Sequence, residues 1–147
     1  MAAKVTVLLV GYSRDEHGET FADGTITLIQ SEKNIVVDTG VIGDEKTILQ
    51  GLEKASLSPE DVDIVVHTHG DPDHVGNDSL FVNATVIGLG TVNKGPVFTF
   101  FEDTYRIDTD VWVKKTPGHS ELDITGFVTT KDGVVAACHV TRRPRNQ

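Results

Sequence analysis

Apolar residues occur in short runs rich in β-branched side chains, and these runs predict a chain built mostly from β-strands. The first three strands are predicted at residues 5–10, 25–29 and 35–37. Turn-forming clusters separate them at Ala22-Asp23-Gly24 and Ser31-Glu32-Lys33-Asn34, so we expect an antiparallel meander. Later strands are predicted at residues 63–67, 84–87, 97–101, 105–107, 111–114, 125–129 and 134–137, with a hairpin turn at residues 130–133.

The period of the apolar positions changes to that of a helix after Gly43. Ile48, Leu49 and Leu52 recur at helical spacing, and acidic residues occupy the preceding turn, where the helix dipole favours them. This pattern predicts one clear helix over residues 44–55. Ser58 and Pro59 then predict a capped short turn, because proline suits the first helical position.

The composition indicates one globular domain, expected over residues 1–140, with a basic tail at residues 141–147. The chain has 147 residues, 38% of them hydrophobic and 24% charged, which is ordinary for a folded domain. Its net charge of −9 argues against broad capture of a polyanion. A single cysteine fits a reducing compartment, and the sequence shows neither a signal peptide nor a membrane-spanning run. We therefore expect a cytoplasmic or nuclear location and no membrane partner.

The candidate chemistry follows the apolar run Ile64-Val65-Val66 directly, in the segment His67-Thr68-His69-Gly70-Asp71-Pro72-Asp73-His74. Imidazole and carboxylate groups hold Zn²⁺ or iron in catalytic sites, and a strand end lets a rigid sheet aim short loops. A solvated polar turn is the alternative. The density of histidine and aspartate, with a further His119 downstream, favours a metal site.

Several motifs in a fixed order resemble the metallo-β-lactamase family over nearly the whole chain. They are Leu8-Leu9-Val10-Gly11-Tyr12, Ala22-Asp23-Gly24-Thr25, Val36-Val37-Asp38-Thr39-Gly40, Thr68-His69-Gly70, Asp73-His74-Val75-Gly76-Asn77 and Thr116-Pro117-Gly118-His119. The resemblance implies an α/β fold, the αββα sandwich of that family, truncated at its C-terminus. The chain reaches Gln147 before the last strand, the final helix and the last histidine ligand that the family has.

The resemblance also implies a ligand set. The family signature is His-x-His-x-Asp-His, and the register ending at Asp73-His74 starts at His69 and places Asp71 where the second histidine belongs. One metal would take His69, Asp71 and His119. The second would take Asp73 and His74, with Asp73 also assigned to catalysis.

Three further residues keep two interpretations each. His67 is interpreted as a polar residue that supports the site, although strand alternation would also let it point the same way as His69. Cys138 or His139 could replace the bridging aspartate of the family's Gly-Asp pair, and Cys138 could instead be a small buried hydrophobe. Asp38 matches the family carboxylate that orients a ligand histidine, and it also suits the opening of an Asp-Thr-Gly turn.

The resemblance implies a metal-dependent hydrolase with one or two Zn²⁺ ions, or iron as a minor alternative. Within the family it points to an endoribonuclease acting on histone pre-mRNA 3′ ends, with RNA as the substrate. The alternative is a catalytically impaired, truncated member that acts through protein association, because the Gly-Asp pair is absent. An uncovered sheet edge would then favour a homodimer.

Overall fold

Two facing β-sheets, a separate two-stranded hairpin and one helix of ten residues form most of the part of the chain that the computed structural model describes, residues 2–118 and 120–138. The strands are β1 (Lys4–Leu9), β2 (Tyr12–Glu16), β3 (Glu19–Asp23), β4 (Ile26–Gln30), β5 (Asn34–Val37), β6 (Ile64–Val66), β7 (Thr85–Gly88), β8 (Thr91–Lys94), β9 (Val97–Phe100), β10 (Thr104–Arg106), β11 (Val111–Lys115), β12 (Ile124–Thr130) and β13 (Gly133–Ala137). The helices are α1 (Glu45–Lys54) and the short α2 (Pro72–Val75).

The larger sheet has seven strands in the order β1-β4-β5-β6-β7-β8-β9. Strands β1, β4 and β5 pair antiparallel, which confirms the predicted meander. Strands β5, β6 and β7 run parallel, so their carboxyl ends meet at one edge of the sheet. The smaller sheet has the order β10-β11-β12-β13, and the predicted hairpin turn before Gly133 joins its last two strands.

The central strands are buried on both faces, and alternate residues serve two separate cores. Val37 and Val66 point toward the smaller sheet and pack with Val113 and Ile124. On the opposite face, Leu28, Val36 and Val65 of the same sheet pack against Ile48 and Leu52 of α1. Burial on both faces explains why these strands read as continuous apolar runs.

The layers therefore run helix, sheet, sheet, which is the expected metallo-β-lactamase architecture without its second helical layer. On the outer face of the smaller sheet, the Trp112 ring stacks on Phe127 at a centroid distance of 5.6 Å. The Arg106 guanidinium lies 5.1 Å from the Trp112 ring centroid. Both helices in the described residues lie elsewhere, so the second helical layer of the predicted αββα sandwich is not among those residues.

The predicted helix is confirmed with its ends trimmed, since Asp44 and Ala55 are the residues that flank α1. The turn after Ser58 is also confirmed. It is a 3-10 turn at Pro59–Asp61 in which the Ser58 amide and hydroxyl donate to Asp61 Oδ2 at 2.8 and 3.0 Å. No helix within residues 2–118 and 120–138 is long and apolar enough to cross a membrane.

Strands β2 and β3 form a two-stranded hairpin that the apolar pattern missed. Every residue of β2 is exposed, so no alternation of apolar and polar residues marks it. The prediction of a turn at Ala22-Asp23-Gly24 is correspondingly wrong, because Ala22 and Asp23 belong to β3. The signal that remained was His17-Gly18, whose φ angles of 52° and 76° suit a tight two-residue hairpin turn.

Helix α1 depends on its inward-facing apolar residues, which gives a stability prediction. Leu52 is fully buried between α1 and the larger sheet. We expect Leu52→Ala to lower the free energy of unfolding by about 2–5 kcal/mol, through lost burial and an unfilled cavity. Urea unfolding followed by circular dichroism measures this change. Leu49→Ala is the control, because Leu49 lies on the same helix but is 36% exposed, and an equal loss in both variants would contradict the packing of α1.

Candidate metal centre

The candidate centre lies where the parallel strands β5 and β6 end side by side. Val37 pairs with Val66 in the parallel register, so the next residues on each strand are neighbours. The Asp38 amide donates to the Val66 carbonyl at 2.7 Å. Asp38 and the segment His67-Thr68-His69 consequently leave the sheet at the same edge, where a rigid framework holds them.

Asp38 is the buried anchor of this edge. Its Oδ1 accepts the Thr68 amide at 2.8 Å, and its Oδ2 accepts the Thr68 hydroxyl at 2.6 Å. The same Oδ2 lies 2.9 Å from His74 Nδ1. The backbone of Asp38 has φ of +63°, an unfavourable value for a residue with a side chain, and these three contacts hold it there. The geometry accommodates both interpretations of Asp38, the orienting carboxylate and the turn residue.

His74 is an imidazole with one nitrogen fixed and the other aimed at a second carboxylate. Its ring is buried in α2, with Nδ1 toward Asp38 and Nε2 3.5 Å from Asp73 Oδ2. Burial alone would lower the pKa of His74. The hydrogen bond and charge of Asp38, together with the charges of Asp73 and Asp71, outweigh it and raise that pKa above its usual value. A ligating histidine in proteins has the same arrangement, with its second nitrogen bound to a carboxylate.

His69 is buried 5.6 Å from His74, measured between ring centroids. Its Nδ1 accepts the Asp71 amide at 2.9 Å and lies 3.5 Å from Asp71 Oδ1. Acceptance at Nδ1 places the proton of the neutral ring on Nε2, which faces Asp123 Oδ1 at 3.7 Å. Sequence reasoning missed Asp123, a buried carboxylate just before β12. The adjacent Ile124 amide donates to the Thr68 carbonyl at 3.1 Å, which places Asp123 beside the end of β6.

His67 turns away from this group. Its Nε2 lies 2.8 Å from Asp78 Oδ2, and Asp78 Oδ1 also accepts the Thr39 hydroxyl at 2.7 Å. The ring therefore joins the end of β6 to the turn that follows α2. This placement agrees with the interpretation of His67 as a supporting residue, while the choice between His67 and Asp71 as a ligand stays a prediction.

Two carboxylates that sequence reasoning passed over lie beside the centre. Asp23, at the end of β3, and Asp44, before α1, both accept the Val41 amide, at 3.2 and 3.1 Å. Burial raises the pKa of Asp23 to about 7, with further contributions from the hydrogen bond and charge of Asp44 and from the charge of Asp73. The two carboxyl groups thus lie together on one main-chain donor, the Val41 amide.

Main-chain contacts of glycine fasten the candidate ligand segment, residues 67–76, to its surroundings. The Gly24 amide donates to the Asp73 carbonyl at 3.0 Å, and a Cβ atom on Gly24 would lie 2.7 Å from that oxygen. The Gly76 amide likewise donates to the Gly40 carbonyl at 2.7 Å. Side chains are excluded at both positions because the backbones approach too closely.

The centre opens into a cavity of about 930 Å³. Its lining includes Asp38, Asp71, Asp73 and His74, and also Cys138, which follows β13. Cys138 is exposed, so its interpretation as a small buried hydrophobe is wrong. Its role as a metal ligand stays a prediction.

The donor chemistry of these residues fits a cation. Two imidazoles and several carboxylates lie within one small volume, and His74 already has the second-nitrogen partner that a ligand needs. In residues 2–118 and 120–138, no three such side chains converge at metal-binding distance. His119 and His139, predicted as further ligands, lie outside the described residues.

The raised pKa of His74 gives a first prediction for this site. We expect Asp38→Asn to lower the pKa of His74 in metal-free protein, because the neutral amide no longer favours the imidazolium. The stability that Asp38 confers through this pair is present below about pH 6.5 and is lost as the pH rises through the raised pKa. An NMR titration of the imidazole nitrogens measures the shift. Asp103→Asn, which removes an exposed carboxylate paired with Lys114, is the control, and an unchanged His74 titration in Asp38→Asn would refute the assignment.

The buried Asp23 gives a second prediction, with the opposite pH dependence to that of an ordinary carboxylate. The unfolded chain loses the Asp23 proton near pH 3.8 and the folded chain near 7, so the stability of the protein falls between these values. We expect Asp23→Asn, which mimics the protonated group, to remove that fall. Thermal unfolding of both proteins from pH 4 to 8 measures it. Parallel curves for the two proteins would show that Asp23 ionises normally.

Comparison with known proteins agrees with this geometry. Residues 20–140 match the family model described as the metallo-beta-lactamase superfamily. Metallo-beta-lactamase domain-containing protein 1 of Xenopus laevis is 45% identical over 131 residues, covering 84% of this chain and 56% of that protein. A protein of Methanocaldococcus jannaschii named as a probable metallo-hydrolase is 37% identical over 105 residues, covering 69% of this chain and 48% of that protein. This chain thus spans about half the length of both relatives.

A solved structure shows the same fold at low sequence identity. The crystal structure of a quorum-quenching N-acyl homoserine lactone lactonase superposes with a TM-score of 0.69 at 20% identity, covering 92% of this chain and 71% of that one. Such low identity supports the fold alone. The matched family model, the relatives and the shared architecture lead to one conclusion: the chain belongs to the metallo-β-lactamase superfamily.

Proposed function

We infer that this chain is a metal-dependent hydrolase. The observation that carries the inference is the line Asp38–His74–Asp73, in which a buried imidazole has Nδ1 fixed by one carboxylate and Nε2 aimed toward another. A metal-ligating histidine ordinarily has its other ring nitrogen bonded to a carboxylate, and the Nδ1 of His74 has that partner in Asp38. The relatives, one of them named as a metallo-hydrolase, support the same class of reaction.

The ligand sets follow the resemblance. His69, Asp71 and His119 are proposed for one metal, and Asp73 and His74 for the second, with Cys138 or His139 as its further ligand. Bound Zn²⁺ would supply hydroxide near neutral pH, since it lowers the pKa of its water to about 7. Zinc is the proposed metal because two imidazoles with a carboxylate form a workable zinc site, while iron accepts the same ligand class.

The chain's own residues have separate tasks in this proposal. Asp38 orients the His74 ring, and Thr68 holds Asp38 in its left-handed conformation. Asp73 is the proposed catalytic residue, because it faces both His74 and the open cavity. Asp123, whose Oδ1 lies 3.7 Å from His69 Nε2, would orient the His69 ring.

Two finer proposals rest on the resemblance alone. The first is an endoribonuclease acting on histone pre-mRNA 3′ ends, and the net charge of −9 lends it no support. The second is an impaired family member that acts through protein association. The Cys138-His139 pair, which stands where the family has Gly-Asp, supports this alternative. The homodimer and the cytoplasmic or nuclear location also remain proposals, testable by size-exclusion chromatography and by microscopy of the tagged chain.

Metal content tests the proposed function and the choice of ligand together. We expect Asp71→Ala to remove most of the zinc from one site, whereas His67→Ala, which breaks only the contact with Asp78, leaves the zinc content nearly unchanged. Elemental analysis of purified protein by mass spectrometry measures both. The reverse result would assign the ligand to His67. If the unaltered chain contained no zinc, the result would favour the inactive member that acts through protein association. Iron in place of zinc would favour redox chemistry.

A further inference from the structure

The outermost strand β9 of the larger sheet presents an aromatic surface to solvent. One side of β9 pairs with β8, and among the described residues no strand lies on its other side. Its two phenylalanines, Phe98 and Phe100, are 54% and 81% exposed. They are alternate residues of the strand and therefore point to the same face of the sheet. Phenylalanine is ordinarily buried, so an exposed pair on one face indicates an interaction surface.

The sequence of β9 leaves its outer edge unprotected. Native edge strands commonly carry a charge, a proline or a bulge, which prevents pairing with another chain. Strand β1, at the opposite edge of the same sheet, has such features, since it begins at Lys4 and its register shifts between Val7 and Leu9. Val97-Phe98-Thr99-Phe100 contains neither a charge nor a proline and pairs with β8 without a register shift. Strand β9 is therefore a regular edge that can accept another strand.

The main-chain bonding of β9 fixes which of its groups face outward. The Phe101 amide donates to the Gly90 carbonyl at 3.4 Å, which continues the pairing between β9 and β8. In an antiparallel pair, residues that bond to the neighbouring strand alternate with residues whose amide and carbonyl groups point away from it. Because Phe101 is bonded to its neighbour, Phe98 and Phe100 are the residues of β9 whose main-chain groups face outward.

These outward groups are self-complementary under a two-fold axis. Antiparallel pairing of two β9 strands about Thr99 sets Phe98 opposite Phe100 of the second copy, and Phe100 opposite its Phe98. Each opposed pair exchanges both of its amide-to-carbonyl hydrogen bonds. The same register places the phenylalanine rings of both copies side by side on one face and the two Thr99 side chains opposite each other on the other face. Aromatic pairs and threonine pairs across strands are both favourable.

The residues at the two ends of β9 carry opposite charges. Lys94 precedes the turn that leads into the strand, Glu102 follows the strand, and both are exposed. Because the paired strands run in opposite directions, the Lys94 end of each copy lies beside the Glu102 end of the other. A parallel pairing would instead set like charges together at both ends. Charge therefore favours the antiparallel arrangement, which closes on itself after two copies.

We propose that two copies of this chain associate through β9, so that their larger sheets join into one continuous sheet across the dimer. The proposal gives the homodimer named above a definite interface, and it is independent of the hydrolase function. The uncovered edge expected from the sequence followed from the missing C-terminal strand, on the side where β13 is the outermost described strand. Strand β9 belongs to the other sheet.

A matched pair of lysine substitutions tests this interface. Phe100→Lys places a charge among the phenylalanine rings, whereas Val134→Lys adds the same charge to β13. Phe100 is 81% exposed and Val134 is 60% exposed, so both variants are expected to keep the fold, which circular dichroism checks. Sedimentation velocity of the full-length chain at micromolar concentration should show a dimer for the unaltered protein and for Val134→Lys. In Phe100→Lys we expect the dissociation constant of the dimer to rise about tenfold or more.

Disulfide cross-linking tests the register of the two strands. In a Cys138→Ser background, which removes the one native thiol, Thr99→Cys places two thiols on the two-fold axis. Their Cβ atoms would lie about 4.5–5.5 Å apart, close to the separation that a disulfide requires. Val97→Cys is the control on the same strand and face, because in this register the two copies of residue 97 lie roughly 13 Å apart. We expect mild oxidation to cross-link Thr99→Cys and not Val97→Cys.

The outcomes separate this proposal from its rivals. A monomeric unaltered chain would overturn it, and so would a dimer that persists in Phe100→Lys or that dissociates in Val134→Lys. Equal cross-linking of the two cysteine variants would overturn the two-fold register. These measurements involve neither metal content nor hydrolysis, so a failed interface leaves the hydrolase proposal standing, and a failed hydrolase leaves the interface standing.

Discussion

The carboxylate of Asp38 is the constraint on which the rest of the centre depends. It is buried at the end of β5, and it orders Thr68 on the next strand and His74 on the following helix through three contacts of 2.6–2.9 Å. A buried carboxylate without such partners would be costly, so the three groups must assemble together. The backbone of Asp38 is held in the left-handed region for the same reason, since an ordinary conformation would withdraw the carboxylate from its partners.

Negative charge is concentrated around this anchor, and the fold accommodates it in three ways. Asp38 is satisfied by hydrogen bonds, Asp23 keeps its proton to neutral pH, and Asp123 accepts the Ser120 hydroxyl at 2.6 Å while facing His69. Asp71 and Asp73 remain on the cavity side. A divalent cation there would relieve the repulsion between them, so the arrangement suits a metal centre.

The apolar pattern predicted the framework because burial leaves a strong mark on sequence. The runs at β4, β5 and β6 and the helical spacing of Ile48 and Leu52 reflect two cores on either side of one sheet. The β2–β3 hairpin left no such mark, since its side chains are mostly exposed and its position depends on a main-chain bond to Asp73. Asp123 was missed because it reaches His69 through pairing between distant segments, which local sequence does not encode. The segment rich in histidine and aspartate at residues 67–74 was visible because its residues are adjacent along the chain.

The attachment of the β2–β3 hairpin has an evolutionary consequence. The bond from the Gly24 amide to the Asp73 carbonyl involves no side chain other than the missing one of glycine. Yet Tyr12, Ser13, Thr20 and Ala22 of the hairpin are among the residues that line the cavity. Mutation can therefore change what the hairpin presents to a bound molecule while the reacting groups stay in place. In the proposed hydrolase, the residues that contact a substrate and the residues that react with it are therefore separate, so specificity can change without rebuilding the centre.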